Sequence, residues 1–567
     1  MNLYKEYKKT VMDAVKAVFP DADAAKVVVS APKEFAHGDL TTNAAMVLAK
    51  DLRQPPPAIA EKIAAQLRKN PDFTQVQTAG GYVNIRLADA VWDRLLTAAI
   101  NDENYGASDI GRNVKVNVEY ISANPTGPVH IGHVRIAMTG DALAGVLQKA
   151  GFAVTRESYT NDKGMQVTKL AKSLYLRYEE LITGSPADIP DGYYPGEYMI
   201  DAAQKLRDKD GDKWLGKFDE TYFKDFAVDA MMDMIRADIA LMGINMDLYS
   251  SEQKLYDDGK VEKALKFMEE NGLSYRGTLP PPKSGKTAAE DYEPAEQLLF
   301  RATQFGDDCD RTLIKSDGAE TYFLSDIAYH YDKLMRGFTV MYDVWGADHA
   351  GYVPRLTAAV KAITRGKAQI KILLCQIVRI TKGGQPFKLS KRAGNIITVA
   401  DLLEQVTKDE LRFYMLTRRN DAQMAFDIDK VKEQSKDNLV FYVQYAHARA
   451  CSVLRKNSGA KVNTALLADP HERALLQQVS LLPVVIEEAA AFAEPHRVTG
   501  YLNDLATRFH SLWTAGNRDP GLRFSTDDAQ ITGARIALVK ATQTALAGAL
   551  RTLGVTPVQR MESSAEV

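Results

Sequence analysis

Apolar side chains recur at two spacings along the chain, and the switches between them divide it. A period of about 3.6 residues predicts helices over 3–18, 40–52 and 57–69. Pro55, Pro56 and Pro57 punctuate the last two, at a position where a helix tolerates proline. Tyr82 to Leu87 alternates and reads as a strand. From Val114 the alternation returns: Val114, Val116, Val118 and Tyr120 are separated by Lys115, Asn117 and Glu119. A loop rich in Asn, Pro and Gly follows, Ser122 to Val129. Residues 132–150 then carry a helical stripe of Val134, Met138, Ala142 and Val146, with Gly151 as the stop. Phe152 to Ser158 is a second strand. A strand-loop-helix-strand unit predicts a parallel sheet, whose ligands sit beyond the carboxyl ends of its strands.

Residues from about 165 to 300 are mostly helical and rich in tyrosine, interrupting the sheet. Strands are expected again at Glu320–Leu324, Phe338–Val344 and Ile370–Ile380, and a helix over 398–416, where Thr398 and Asp401 resemble a capping box. From about 427 onward only helical periodicity remains, which marks a C-terminal helical domain.

The chain's 567 residues exceed one hydrophobic core, so roughly three or four domains are expected. A net charge of −2 gives no global sign of a polyanion partner, and 46% hydrophobic with 25% charged residues is ordinary for a globular protein. The N-terminus lacks the apolar core of a signal peptide, and no stretch is expected to span a membrane. Cys309, Cys375 and Cys451 lie far apart with no CxxC pair, which points to free thiols in a reducing compartment, the cytoplasm.

His130-Ile-Gly-His133 falls where the first strand's loop meets its helix. A helix N-terminus offers unpaired N–H groups and partial positive charge, which suit phosphate. Gly132 permits close approach, and two imidazoles can donate to phosphate oxygens as charge builds. Histidines three apart can also ligate zinc, but the flanks supply no third ligand at familiar spacing, so no metal site is expected. Capping or packing histidines are the plainer alternative.

Between Gly351 and Ala400 there is no Asp or Glu, against ten cations: Arg355, Lys361, Arg365, Lys367, Lys371, Arg379, Lys382, Lys388, Lys391 and Arg392. A solvated basic face is one explanation; a polyanion partner is favoured because the segment is also apolar. Gly383 and Gly384 precede Lys388-Leu-Ser-Lys-Arg392 and Gly394 follows it, which predicts a mobile loop whose lysines close over a triphosphate. Ser284-Gly-Lys-Thr287 looks like the tail of a P-loop, but Pro280 stands where the first glycine belongs.

The histidine turn followed by a lysine-serine-lysine loop resembles class I aminoacyl-tRNA synthetases, with KLSKR for their KMSKS. Further segments narrow the resemblance to the arginyl-tRNA synthetase family: Glu119 through His133, Tyr322-Phe-Leu-Ser-Asp326, Trp345-Gly-Ala-Asp-His349, Asp437 through Arg449, and His37-Gly-Asp-Leu-Thr-Thr-Asn43. It covers nearly the whole chain. The resemblance implies an α/β fold: a Rossmann-like parallel-sheet catalytic domain over 109–375 with the helical insertion, an N-terminal α+β tRNA-binding domain over 1–108, a loop and stem-contact region over 376–430, and an all-helical anticodon-binding domain over 431–567.

By motif position, the resemblance implies that Glu119, Tyr322 and Asp326 line an arginine side-chain pocket. Ser122, Ala123, Asn124 and Asp348 would hold the α-groups, with His133 at the junction with ATP. His130, Gly132, His133, His349, Lys388, Ser390 and Lys391 would serve ATP, His130, His133, Lys388 and Lys391 catalytically. Asn43, Tyr442, Tyr445 and Arg449 would meet tRNA. Tyr322 and Asp326 could equally be a buried hydrogen-bonded pair, and Phe441, Tyr442 and Tyr445 could be helix core. The family further implies tRNA(Arg), L-arginine and ATP with Mg²⁺ as substrates, no tightly bound cofactor, no membrane, a monomer, and tRNA binding before activation. Three rivals stand beside it. A synthetase for cysteine would need zinc ligands, and one for glutamate would need cations in the pocket. A small-molecule nucleotidyltransferase has little use for the helical domain. A decayed tRNA-binding synthetase would not need both histidines and both lysines.

Overall fold

The strands flanking the histidine turn lie side by side in a parallel sheet. Lys115–Glu119 (β1) and Ala153–Thr160 (β2) pair from Lys115 opposite Ala153 to Glu119 opposite Glu157, joined by the helix Ile131–Lys149 (α1). This is a computed structural model, and it describes residues 1–32, 34, 37–280, 294–386, 397–433, 435 and 438–561. Leu248–Ser251 (β3), Val340–Gly346 (β4) and Gln369–Cys375 (β5) complete the sheet in the order β5-β4-β1-β2-β3, all parallel. Central β1 and β4 are buried along most of their length, as a sheet covered on both faces requires. Gly151 ends α1 with a φ of +88°, as its place in the sequence predicts. Gly140 lets α1 lie close on the sheet: a Cβ there would come within 2.3 Å of the Tyr120 ring.

Four of the expected elements need correction. Residues 40–52 are a short strand, Leu40–Thr42, before the helix Ala44–Leu52. Ile370–Ile380 is two strands in different sheets, β5 and Val378–Lys382. Residues 398–416 form two helices, Val399–Leu403 and Lys408–Met415; the Thr398–Asp401 capping box is present. Glu320–Leu324 is not a strand: Tyr322–Met335 is a helix (α3). Its first residues alternate by accident, and the burial of Phe323, Leu324, Ile327, Ala328 and Tyr329 shows the helical stripe that wins.

The insertion packs Met165–Thr183, Tyr198–Asp210 and Glu220–Leu241 (α2) around Leu174, Tyr178, Met199, Leu206 and Phe223, before β3 returns to the main sheet. These elements lie in one compact unit, Gly111–Lys432; Met1–Ile110 and Glu433–Val567 together make another. In that second unit a four-stranded antiparallel sheet carries helices, and the C-terminal segment is helical. Tyr105 donates to the Val479 carbonyl at 3.0 Å and Gln477 to Asp39 at 2.6 Å, tying the two segments of that unit. One run, Pro470–Phe492, is long and apolar enough to cross a membrane, contrary to expectation; 56% of its window is buried, and it is two helices divided at Leu481. All three cysteines are free.

Candidate active site

His130 is the N-cap of α1, and its Nδ1 accepts a hydrogen bond from the Gly132 N–H at 3.1 Å. The proton of the neutral ring therefore sits on Nε2. A Cβ on Gly132 would lie 2.9 Å from the His130 ring, so the capping contact itself demands glycine. The His130 and His133 rings lie 4.0 Å apart. Burial lowers the pKa of both; for His133, burial and then the His130 charge bring it to about 4, against an opposing pull from Asp348. Both rings are neutral donors at neutral pH.

The turn is held from two directions. Asp238 on α2 accepts from the Val129 N–H at 2.9 Å. The Ile131 N–H donates to the Ile397 carbonyl, the Val399 N–H donates to Val129, and His130 bridges to Thr398. Lys388, Ser390 and Lys391 lie outside the described residues, as does the P-loop-like Ser284–Thr287. The chain that follows the lysines is nonetheless stitched to the histidine turn.

At the carboxyl end of β1, Glu119 already has a cation. Its Oε2 accepts from the Lys333 ammonium at 2.5 Å and its Oε1 from the Ser122 hydroxyl at 2.7 Å. Lys333, wholly buried on α3, also donates to Asp343 at 3.1 Å. His330 bridges the Asp326 carbonyl at 2.8 Å and the other Asp343 oxygen at 2.9 Å. A carbonyl only accepts, so Nδ1 carries a proton and Nε2 faces the carboxylate. Burial pushes Asp343 up, but Lys333 and His330 outweigh it and hold that carboxyl low; burial leaves Glu119 raised. Glu119, His330 and Asp343 place ligand atoms within 4.8 Å of one another, the geometry of a cation site, but the ammonium of Lys333 supplies the cation.

Asp326 is in a different position. It follows Tyr322 by one turn of α3, on the same face. Its Oδ2 accepts from the Tyr352 hydroxyl at 2.5 Å, and no Lys or Arg pairs with it among the described residues. Burial raises its pKa to about 7. Tyr322 is 67% exposed at the rim. Ser122 is spent between Glu119 and the Tyr159 N–H; Asn124 donates to Gln166 at 3.0 Å, and Ala123 lies between them. Asp348 and His349 are both exposed on the turn after β4, 3.5 Å apart. Sequence reading missed Lys333, His330, Asp343 and Tyr352; the first two follow Asp326 at seven and four residues, a helical spacing hidden by the strand assignment.

In the other unit, Asn43 precedes the helix Ala44–Leu52, and its side chain accepts from the Val28 N–H. Tyr442, Tyr445 and Arg449 share a face of the helix Leu439–Lys456. Arg449 donates to the Tyr445 hydroxyl and lies over the rings of Tyr445 and Trp513 at 4.3 and 4.4 Å, and Tyr442 packs on His510. All three side chains are half-buried.

Three family models match the chain: the arginyl tRNA synthetase N terminal domain over residues 5–87, the tRNA synthetases class I (R) catalytic domain over 94–452, and the DALR anticodon binding domain over 443–561. The arginine–tRNA ligase of Ruegeria pomeroyi is 48% identical, covering 99% of this chain and 100% of its own. A Cereibacter sphaeroides arginine–tRNA ligase is 49% identical with the same coverage. In fold, the chain is similar to the Thermus thermophilus arginyl-tRNA synthetase, with a TM-score of 0.76, 22% identity, and coverage of 99% of this chain and 100% of that one.

Proposed function

The chain belongs to the arginyl-tRNA synthetase family, and from that premise we propose how its residues share the work. It is an ATP-dependent ligase that charges tRNA with arginine. The arginine carboxylate attacks the α-phosphorus of ATP and pyrophosphate leaves; a ribose hydroxyl of the tRNA's terminal adenosine then attacks the adenylate carbonyl and AMP leaves.

In the first step His130 donates from Nε2 to phosphate oxygens; the support is its Nδ1, occupied by Gly132. His133, one turn inside α1, donates where the arginine carboxylate meets the α-phosphate. Both are neutral, so they stabilise the growing negative charge as dipoles without first binding a competing anion. Lys388 and Lys391 follow the charge onto pyrophosphate, with Ser390 and His349 beside them, and Mg²⁺ accompanies the triphosphate. The exposed Gly132 leaves room for ATP against the turn.

The observation that carries the substrate reading is Asp326, a carboxyl raised to about 7 with no Lys or Arg paired to it among the described residues. A guanidinium supplies the missing charge in a flat, two-pronged geometry. Tyr322 covers it from the rim, Glu119 bounds the pocket, and Ser122, Ala123, Asn124 and Asp348 flank the α-groups. Asn43 and the Tyr442, Tyr445 and Arg449 face meet tRNA(Arg). The protein works as a monomer in the cytoplasm, where its free thiols are at home. The test is pyrophosphate exchange with each amino acid, with and without total tRNA. Exchange with arginine alone is expected; exchange with another amino acid contradicts the reading.

A further inference from the structure

The loop between β1 and α1 does not shape itself. It is entered through Ile121, a β-branched residue at a φ of +56°, a strained conformation that persists only where the surroundings impose it. Ser158 of β2 donates to the Ile121 carbonyl at 2.9 Å. Pro125 and Pro128 have no N–H to give, and within 124–129 the one internal backbone bond runs from the Thr126 N–H to the Asn124 carbonyl. The insertion holds the loop instead, once from each of the three helices that make its core. Asn124 donates to Gln166 of Met165–Thr183 at 3.0 Å. The Thr126 carbonyl accepts from the hydroxyl of Tyr198, which opens Tyr198–Asp210, at 3.0 Å. The Val129 N–H donates to Asp238 of α2 at 2.9 Å. Gly127 fits against Tyr198: a Cβ there would lie 3.2 Å from its hydroxyl. Asp238 is 7% exposed, and no Lys or Arg pairs with it among the described residues, so its charge is aimed at one backbone N–H. The Val129 carbonyl accepts from the Val399 N–H, which leaves the residue before His130 pinned on both sides.

We propose that Asp238 and Tyr198 are positioning residues for arginine activation: through them the insertion fixes the loop 124–129 and aims the His130 and His133 rings at the reacting phosphate. Neither touches a substrate. Asp238 acts at the residue that precedes the N-cap of α1, where a shift of Val129 carries the histidine turn with it. Tyr198 acts at the middle of the loop. A catalytic donor displaced by about 1 Å forfeits about 10²-fold in rate, so weak contacts far from the chemistry can control it. The proposal rests on the two histidines serving the phosphate side.

Agmatine, which keeps the guanidinium and lacks the carboxylate, reports on the arginine side-chain pocket without the phosphate side. Its binding to the full chain is measured by calorimetry, beside the kcat per active site and the ATP KM in pyrophosphate exchange with arginine and total tRNA. Asp238→Ala removes the acceptor and is expected to lower kcat by about 10- to 100-fold, with agmatine affinity and ATP KM nearly unchanged. Asp238→Asn keeps an acceptor oxygen and is expected to recover most of that loss. Tyr198→Phe removes only a hydroxyl and is expected to lower kcat by about 3- to 10-fold, the scale of one ordinary hydrogen bond, in the same pattern; it carries the test if Asp238→Ala does not fold. Unchanged kcat in whichever of these two variants folds, even with a lower melting temperature, overturns the proposal. An Asp238→Asn variant as slow as Asp238→Ala also overturns it. His130→Ala separates the two readings: if it slows exchange and the Asp238 and Tyr198 variants do not, only the positioning role falls; if none does, the reading of the histidine turn falls with it.

Discussion

The carboxyl end of β1 and the first turns of α3 each present a carboxylate to the same site, and they are built differently. Glu119 has its cation inside the fold: Lys333 and Ser122 occupy both of its oxygens, and Asp343, itself bonded to His330, holds Lys333 in turn. Among the described residues, Asp326 has only the Tyr352 hydroxyl as a side-chain hydrogen-bond partner. A buried charge with a built-in partner is structure; a buried charge without one is stored demand for a ligand. In the function proposed above, that difference gives scaffolding to the β1 side and substrate recognition to α3.

The sharpest way to break this comparison is Lys333→Met. It strands Glu119 and Asp343, and a loss of about 3–5 kcal/mol in unfolding free energy is expected, read by denaturant titration. A small loss would mean that Glu119 is no better paired than Asp326. Next, His130→Ala and His133→Ala should each lower the kcat of arginine-dependent pyrophosphate exchange by about 10²–10³-fold, with agmatine binding nearly unchanged, because they act on the phosphate side. Asp326→Asn should raise the arginine KM by about 10- to 100-fold while the melting temperature rises or holds, the opposite stability sign to Lys333→Met. A lower melting temperature would show that Asp326 is a structural partner of Tyr352. Smallest, Thr398→Ala removes one capping box where the segment after the lysine loop meets His130, at a cost of about 1 kcal/mol and little change in arginine KM.

Much of this was legible in the chain itself. The alternation at Val114–Tyr120, the Gly151 stop and the placement of His130 before a helix follow from periods and turn chemistry that act locally, and the structure reproduces them. What escaped was set by tertiary packing. Tyr322 to Leu324 is too short to separate strand from helix, and the choice is made by the stripe packed against Tyr159 and Leu255 from distant parts of the chain. The same error hid His330 and Lys333, which read as neighbours of Asp326 only at helical spacing. Lys333's hold on Glu119, 214 residues away, has no local signature at all.

The central claim is that Asp326 waits for a cation. Burial holds its carboxyl at about 7 in the free protein, and a bound guanidinium, favouring the charged form, must lower that value. Arginine should therefore bind more weakly as pH falls below 7, because the protonated carboxyl has to give up its proton first. Calorimetry of arginine binding at pH 6 in buffers of different ionisation enthalpy measures that proton directly. The account predicts release of nearly one proton per arginine, abolished in Asp326→Asn. Binding at pH 6 without proton release in the unaltered chain, or with the same release in the Asn variant, would contradict it.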